Sequence, residues 1–170
     1  MTDRVEAAFA AFVSARSPAL LRTAYLLTGD RGHAEDLLQT ALLKAFRHWD
    51  RIRHQDRPEA FVRKVMVNSQ RMVWRRRAVL EHVVADVPDR SGPFNDDDAD
   101  HDAIWQVLAQ LPPRMRAVLV LRYWEDLSEK ETAEVLSCSV GTVKSQASRG
   151  LTRLRTVVRR DADVIQGGRP

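Results

Sequence analysis

The stretch from Leu127 to Val158 reads LSEKETAEVLSCSVGTVKSQASRGLTRLRTVV, and its punctuation decides the fold. Ser128 and Glu131 have the spacing of a capping box, in which the hydroxyl accepts a free amide at a helix start and the glutamate reaches back to the serine amide. A short helix through Ala133, Val135 and Leu136 follows, its small residues letting another helix pack closely. Ser137-Cys138-Ser139 breaks the pattern, and Ser139 is placed to cap a second helix starting at Val140. Along that helix Val143, Ala147, Leu151, Leu154 and Val158 recur at helical spacing and make one apolar stripe. The other face carries Thr142, Ser145, Ser148, Arg149 and Thr152, and no acid interrupts the series Lys144, Arg149, Arg153, Arg155, Arg159, Arg160. This is the pattern of a helix-turn-helix whose second helix enters a major groove. The plainer alternative is a helical hairpin with a solvated charged face. The mixture of serine, threonine and arginine argues against it, because those side chains suit base edges and phosphates.

Working outward, 170 residues with 44% hydrophobic content suffice for one domain or two small ones. Strand-type alternation and fixed-period repeats are absent, so the expected fold class is all-α. A net charge of +4 points weakly to a polyanionic partner; the segregation of charge along the chain says more. The single cysteine, Cys138, excludes an internal disulfide and reads as a small residue in the turn. No run of eighteen apolar residues offers a membrane span and no signal-peptide core opens the chain, so a cytoplasmic location is expected. The histidines (His33, His48, His54, His82, His101) lack metal-ligand spacing, no glycine loop of the nucleotide-binding kind is present, and no nucleophile and base stand paired. No cofactor, no metal site and no enzymatic activity are expected.

Toward the N-terminus, residues 4 to 15 read as a first helix, with Pro18 restarting the chain into a second that ends at Gly29 in a left-handed cap. A helix over about 31 to 48 has one wide apolar face, Ala34, Leu37, Leu38, Ala41, Leu42, Ala45, Phe46 and Trp49. Its other side shows Asp36, Gln39, Thr40, Leu43 and Lys44, where Leu43 stands among polar neighbours and suits a docking surface for another protein. Residues 50 to 57 read as a polar loop. Pro58 opens a further helix that buries Phe61, Val62, Val65, Met66, Met72 and Val73 and exposes Arg63, Lys64, Asn68, Arg71, Arg75, Arg76 and Arg77. Trp74 beside those arginines suits single-stranded or distorted nucleic acid; the alternative places Trp74 in the core under a snorkelling basic helix end.

From 86 to 102 the composition turns to Asp86, Asp89, Asp96, Asp97, Asp98, Asp100 and Asp102, broken by Pro88, Gly92 and Pro93. This is an acidic, flexible linker between a domain over 1–85 and another over 103–160, with a disordered tail over 161–170. Fully stretched, it spans on the order of 55 Å at about 3.3 Å per residue. The second domain opens with an amphipathic helix through Ile104, Trp105, Val107, Leu108 and Leu111, and Pro112-Pro113 begins another through Met115, Val118, Leu119, Leu121 and Trp124.

With these elements in place, the chain resembles the bacterial RNA polymerase sigma factors. Residues Leu111 to Leu119 (LPPRMRAVL), Leu121 to Ser128 (LRYWEDLS) and Gly141 to Ser145 (GTVKS) are similar to region 4 of that family. Asp36 to Leu42 (DLLQTAL) and Phe61 to Asn68 (FVRKVMVN), with the later Arg75-Arg76, are similar to region 2. The two regions in this order, joined by a short linker, match the extracytoplasmic-function (ECF) class and most resemble its short actinobacterial members. Thr40 stands where the family often has an acid, Met66 replaces a usual alanine, Met72 a usual aspartate, and Phe61 a usual tryptophan or tyrosine.

The resemblance implies a region 2 helical bundle and a region 4 helix-turn-helix. Asp36, Gln39, Thr40 and Leu43 would lie against the beta-prime coiled coil of core RNA polymerase, whose beta flap would hold the other domain. Arg51, His54 and Asp56 in the loop, with Asn68, would capture a base flipped from the −10 element, while Arg63, Lys64, Arg71, Arg75 and Arg76 hold phosphates near it. Lys144, Ser145, Ser148 and Arg149 would read the −35 duplex, with Arg153 on a phosphate. Promoter DNA and an anti-sigma protein are the further partners implied, with a monomer when free. The rival reading is a stand-alone dimeric helix-turn-helix regulator on a palindrome, against which the Asp36 and Asn68 motifs speak.

Overall fold

A computed structural model describes residues 2–55, 57–80 and 99–167. Asp56 and most of the acidic stretch, 86–98, lie outside the described residues, and so does most of the expected linker. The chain divides into two compact units, Met1–Gly92 and Pro93–Pro170. All regular elements among the described residues are helical.

In the first unit, α1 (Thr2–Thr28), α2 (Arg31–Arg47), α3 (Trp49–Arg53) and α4 (Pro58–Leu80) form a bundle. Its centre is Leu20, Ala24, Leu26 and Leu27 of α1 against Ala34, Leu37, Leu38, Ala41 and Ala45 of α2 and Val62, Met66 and Val67 of α4, all buried. At one end Phe9 lies 5.0 Å from both Phe46 and Trp49, the latter edge-on, and Phe12 lies 5.2 Å from Trp49. Between α1 and α2 the chain reverses at Gly29, whose φ of 73° is the left-handed conformation a side chain would strain. Asp30 then caps α2 by accepting from the His33 amide at 2.8 Å.

Several expectations need correction. Residues 4–15 and the segment after Pro18 are one helix, not two, with Pro18 inside it. Proline lacks the amide that would bond back one turn, which costs a helix interior about 3 kcal/mol. Here Pro18 and the preceding Ser14 and Ala15 are exposed, so water can serve the freed carbonyl, and packing on both sides holds the helix together. Residues 50–53 of the expected loop are helical, part of Trp49–Arg53, because Trp49 and Ile52 at helical spacing are both buried. Met72 and Val73 are not core: they are 56% and 37% exposed, while Val67 and Gln70 are buried. Met72 stands about 200° round the helix from Gln70, at roughly 100° per residue, and so faces away from the bundle.

The second unit contains α5 (Ala99–Leu108), α6 (Pro113–Leu119), α7 (Glu129–Leu136) and α8 (Val140–Gly167). Helix α5 begins four residues before the expected boundary at 103, with Asp100 and Asp102 in its first turn where acid complements the helix dipole. After α6 the chain continues over Val120–Trp124 as a wider turn, in which the Glu125 amide donates to Val120 O at 3.0 Å. Asp126, at φ 54°, and a bond from the Arg122 guanidinium to Leu127 O close that end. Helix α8 runs on to Gly167, so the expected disordered tail is helical over 161–167. The core is Met115, Ala117, Val118, Leu119 and Leu121 against Ala133, Leu136, Val143 and Ala147. Of the expected stripe on α8, Leu151 and Leu154 are half-buried and Val158 is 55% exposed, since α8 outlasts the helices that cover it.

Candidate nucleic-acid interface

The turn before α8 is fixed by local bonds. Ser128 Oγ accepts from the Glu131 amide at 3.1 Å and the Ser128 amide donates to Glu131 Oε2 at 2.8 Å, completing the capping box. Ser137 ends α7 in the left-handed conformation at φ 52°, and the Cys138 amide reaches back to Ala133 O at 3.0 Å. Ser139 Oγ accepts from the Thr142 amide at 3.1 Å and stands 2.9 Å from the Thr142 hydroxyl, so the first turn of α8 is capped as the sequence implies. These bonds present α8 with Val143 and Ala147 inward and Lys144, Ser145, Ser148, Arg149, Thr152 and Arg153 outward and exposed.

The structure adds partners to this face. Ser145 Oγ donates to Thr142 O at 3.2 Å and Thr152 Oγ1 to Ser148 O at 3.0 Å, leaving their oxygens outward as acceptors. Lys144 Nζ lies 3.7 Å from Glu129 Oε2, across the turn on α7. The sequence does not single out Glu129 as a functional residue, because a pair fifteen positions apart carries no local signal.

In the first unit, Lys64, Asn68, Arg71 and Arg75 recur at four, three and four residues and so share one stripe of α4. Lys64, Arg75 and Arg76 are exposed; Asn68, Arg71 and Trp74 are half-buried. Arg51 on α3 and His54 just after it are exposed, and Arg53 is held by Asp50 at 3.0 Å. Arg51 also lines a depression of about 270 Å³ with Val5, Phe46, Arg47, His48, Trp49 and Asp50. Arg63 departs from the stripe. Its side chain is only 11% exposed and bonds Glu59 at 3.3 Å, and the same carboxylate meets Arg16 of α1 at 3.4 Å. The acid four residues before Arg63 is the signal for this pairing. Arg63 is therefore paired within α4 instead of presenting a free cation, and Glu59 links α4 to Arg16 of α1.

Asp36, Gln39, Thr40 and Leu43 are all exposed on α2, with Leu43 at 63%. They border different hollows. Asp36 and Thr40 line a cleft of about 310 Å³ against α4, with Thr28, His33, Ser69, Gln70 and Arg77. Gln39 and Leu43 line an apolar groove of about 530 Å³ against α1, with Phe9, Val13, Leu42 and Phe46. Phe46, expected in the core, is 43% exposed at that groove. Among the described residues no cluster of His, Cys, Asp and Glu is arranged to hold a metal, and no helix is long and apolar enough to cross a membrane.

Comparison with known proteins follows the same division. Residues 12–79 match the family model "Sigma-70 region 2" and residues 101–154 match "Sigma-70, region 4". The chain is 41% identical over 159 residues to the RNA polymerase sigma-E factor of Streptomyces coelicolor, covering 91% of this chain and 89% of that one. It is 32% identical over 142 residues to the ECF RNA polymerase sigma factor SigL of Mycobacterium tuberculosis, covering 80% of each. In fold it is similar to the sigma factor RpoE of Bartonella quintana, solved in complex with the anti-sigma factor NepR, at TM-score 0.73, 24% identity, and coverage of 89% and 96%. It is likewise similar to CnrH, solved with the cytosolic domain of CnrY, at TM-score 0.66, 21% identity, and coverage of 92% and 90%.

Proposed function

The chain belongs to the extracytoplasmic-function class of RNA polymerase sigma factors, of actinobacterial type, and from that membership we propose how its residues divide the work of starting transcription. Nothing in the comparisons favours the stand-alone regulator. A factor of this class is a dissociable subunit that directs core polymerase to promoters, and it works in the cytoplasm, not as an enzyme in its own right. The observation that carries the residue assignments is the outward face of α8, where a doubly capped turn presents Lys144, Ser145, Ser148 and Arg149 together.

In this reading Lys144, Ser145, Ser148 and Arg149 contact base edges of the −35 duplex, and Arg153 a phosphate. Lys64, Arg71, Arg75 and Arg76 track the backbone near the −10 element, while Asn68, with Arg51, His54 and Asp56, receives the flipped base. Flipping costs a few kcal/mol, which the phosphate contacts and the pocket offset. Arg63 contributes by pairing with Glu59, the carboxylate that meets Arg16 of α1. Asp36, Gln39, Thr40 and Leu43 dock on the beta-prime coiled coil, and the second unit docks on the beta flap. The similar RpoE was solved with the anti-sigma factor NepR, which supports a partner of that kind here.

The test is reconstitution with core polymerase, followed by sequencing of the transcripts it starts. Lys144→Ala and Arg149→Ala should weaken use of the −35 element and leave polymerase binding intact. Asn68→Ala should spare duplex contacts and reduce open-complex formation; unchanged promoter opening would refute the base-pocket assignment.

A further inference from the structure

Glu129 is the first residue of α7 and Lys144 lies in the second turn of α8, so their ion pair bridges the turn of the helix-turn-helix. The pair is open to solvent: the nitrogen and oxygen are 3.7 Å apart, and the side chains are 63% and 39% exposed for Lys144 and Glu129. The cap does not need Glu129, since Ser128 and Glu131 complete it between themselves. At such exposure an ion pair contributes little to stability. Its consequence lies in what Lys144 does when a polyanion arrives.

An ammonium group has three donors and no acceptor. With its charge unanswered, it is drawn to whichever phosphate is nearest, and that contact carries no sequence information. With a carboxylate beside it, the gain from a phosphate falls, yet donors remain for neutral acceptors such as N7 and O6 on a guanine edge. The geometry points to Glu129 as a positioning residue for promoter selectivity, which holds Lys144 toward major-groove base edges and away from flanking phosphates. This rests on the −35 reading of α8 given above.

The experiment uses holoenzyme assembled from core polymerase and the full chain. Binding is measured over a range of salt on a duplex promoter with its own −35 element and on one with that element scrambled. Wild type, Glu129→Gln, Lys144→Ala and the double variant are compared. Glu129→Gln should tighten binding to the scrambled duplex about 3- to 10-fold and steepen the salt slope by about 0.9, the increment of one more neutralised phosphate. In the Lys144→Ala background the same substitution should change the ratio between the duplexes by less than about twofold. Glu129→Asp, which keeps the charge and shortens the reach, should fall between wild type and Glu129→Gln. A ratio and slope unchanged in Glu129→Gln, or shifted equally with and without Lys144, would overturn the inference. If Lys144→Ala alone leaves the ratio untouched, the −35 reading itself has failed and this inference falls with it.

Discussion

Gly150 of α8 faces Leu119 of α6 so closely that a Cβ on it would lie 2.9 Å from Leu119 Cδ1 and 3.0 Å from Met115 Cγ. A glycine inside a helix gives up about 1 kcal/mol of helix propensity relative to alanine. Overpacking a filled contact costs about 1–3 kcal/mol, and here the second effect wins. Gly150→Ala should lower stability by about 1 kcal/mol and Gly150→Leu by at least about 3 kcal/mol. Thermal melting of the full chain reads this; a rise in Tm for Gly150→Ala would mean that the helices part freely.

The capping box predicts an asymmetry. Ser128→Ala removes the acceptor for the Glu131 amide and should cost about 1 kcal/mol. Glu131→Gln keeps a side-chain acceptor for the Ser128 amide and should cost much less. Denaturant titration of both variants distinguishes them; equal losses would show that charge at the helix start, and not the reciprocal bonds, sets the effect.

Leu43 is exposed beside an apolar groove, so Leu43→Asp should change stability by less than about 0.5 kcal/mol. If α2 meets core polymerase, the same substitution should weaken that binding at least about tenfold, or 1.4 kcal/mol. Anisotropy titration with core enzyme measures it, and an unaltered affinity would move the contact elsewhere.

Arg116 is 9% exposed, lies with its guanidinium 4.7 Å over the Trp105 ring, and donates to Leu111 O at 3.2 Å. Burial away from water pulls its pKa down from the ordinary arginine range to about 10. A cation with a depressed pKa disfavours the folded state below the folded value, and stability rises only as pH climbs from about 10 toward the ordinary arginine range. Between pH 7 and 9 this group should therefore contribute no slope. Arg116→Met keeps the bulk and should alter stability by about 1 kcal/mol or less, whereas Arg116→Ala should cost about 2–4 kcal/mol through the lost packing. Denaturation at pH 7 and pH 9 should give the same differences; a pH-dependent gap would contradict the assignment.

What the sequence makes legible is whatever is written locally. Ser128, Glu131 and Ser139 announce helix starts within three residues, and the structure bonds them as expected. The outward row of Lys144, Ser145, Ser148 and Arg149 follows from helical period alone. Features set by distant packing do not show. Pro18 reads as a break, and only the packing of α1 before and after it carries the helix through. Met72 and Val73 read as core until the position of α2 decides which side of α4 is covered. The pairing of Lys144 with Glu129 belongs to the same class, because it exists only once the turn is folded.

Helix α8 is one unbroken element of 28 residues, from its capped end at Val140 to Gly167, about 42 Å at 1.5 Å per residue. No joint separates its ends, so it behaves as a lever arm. Whatever grips the distal turns swings the tip by the same angle, and a few degrees applied there translate into ångström-scale displacement of Lys144 and Ser145.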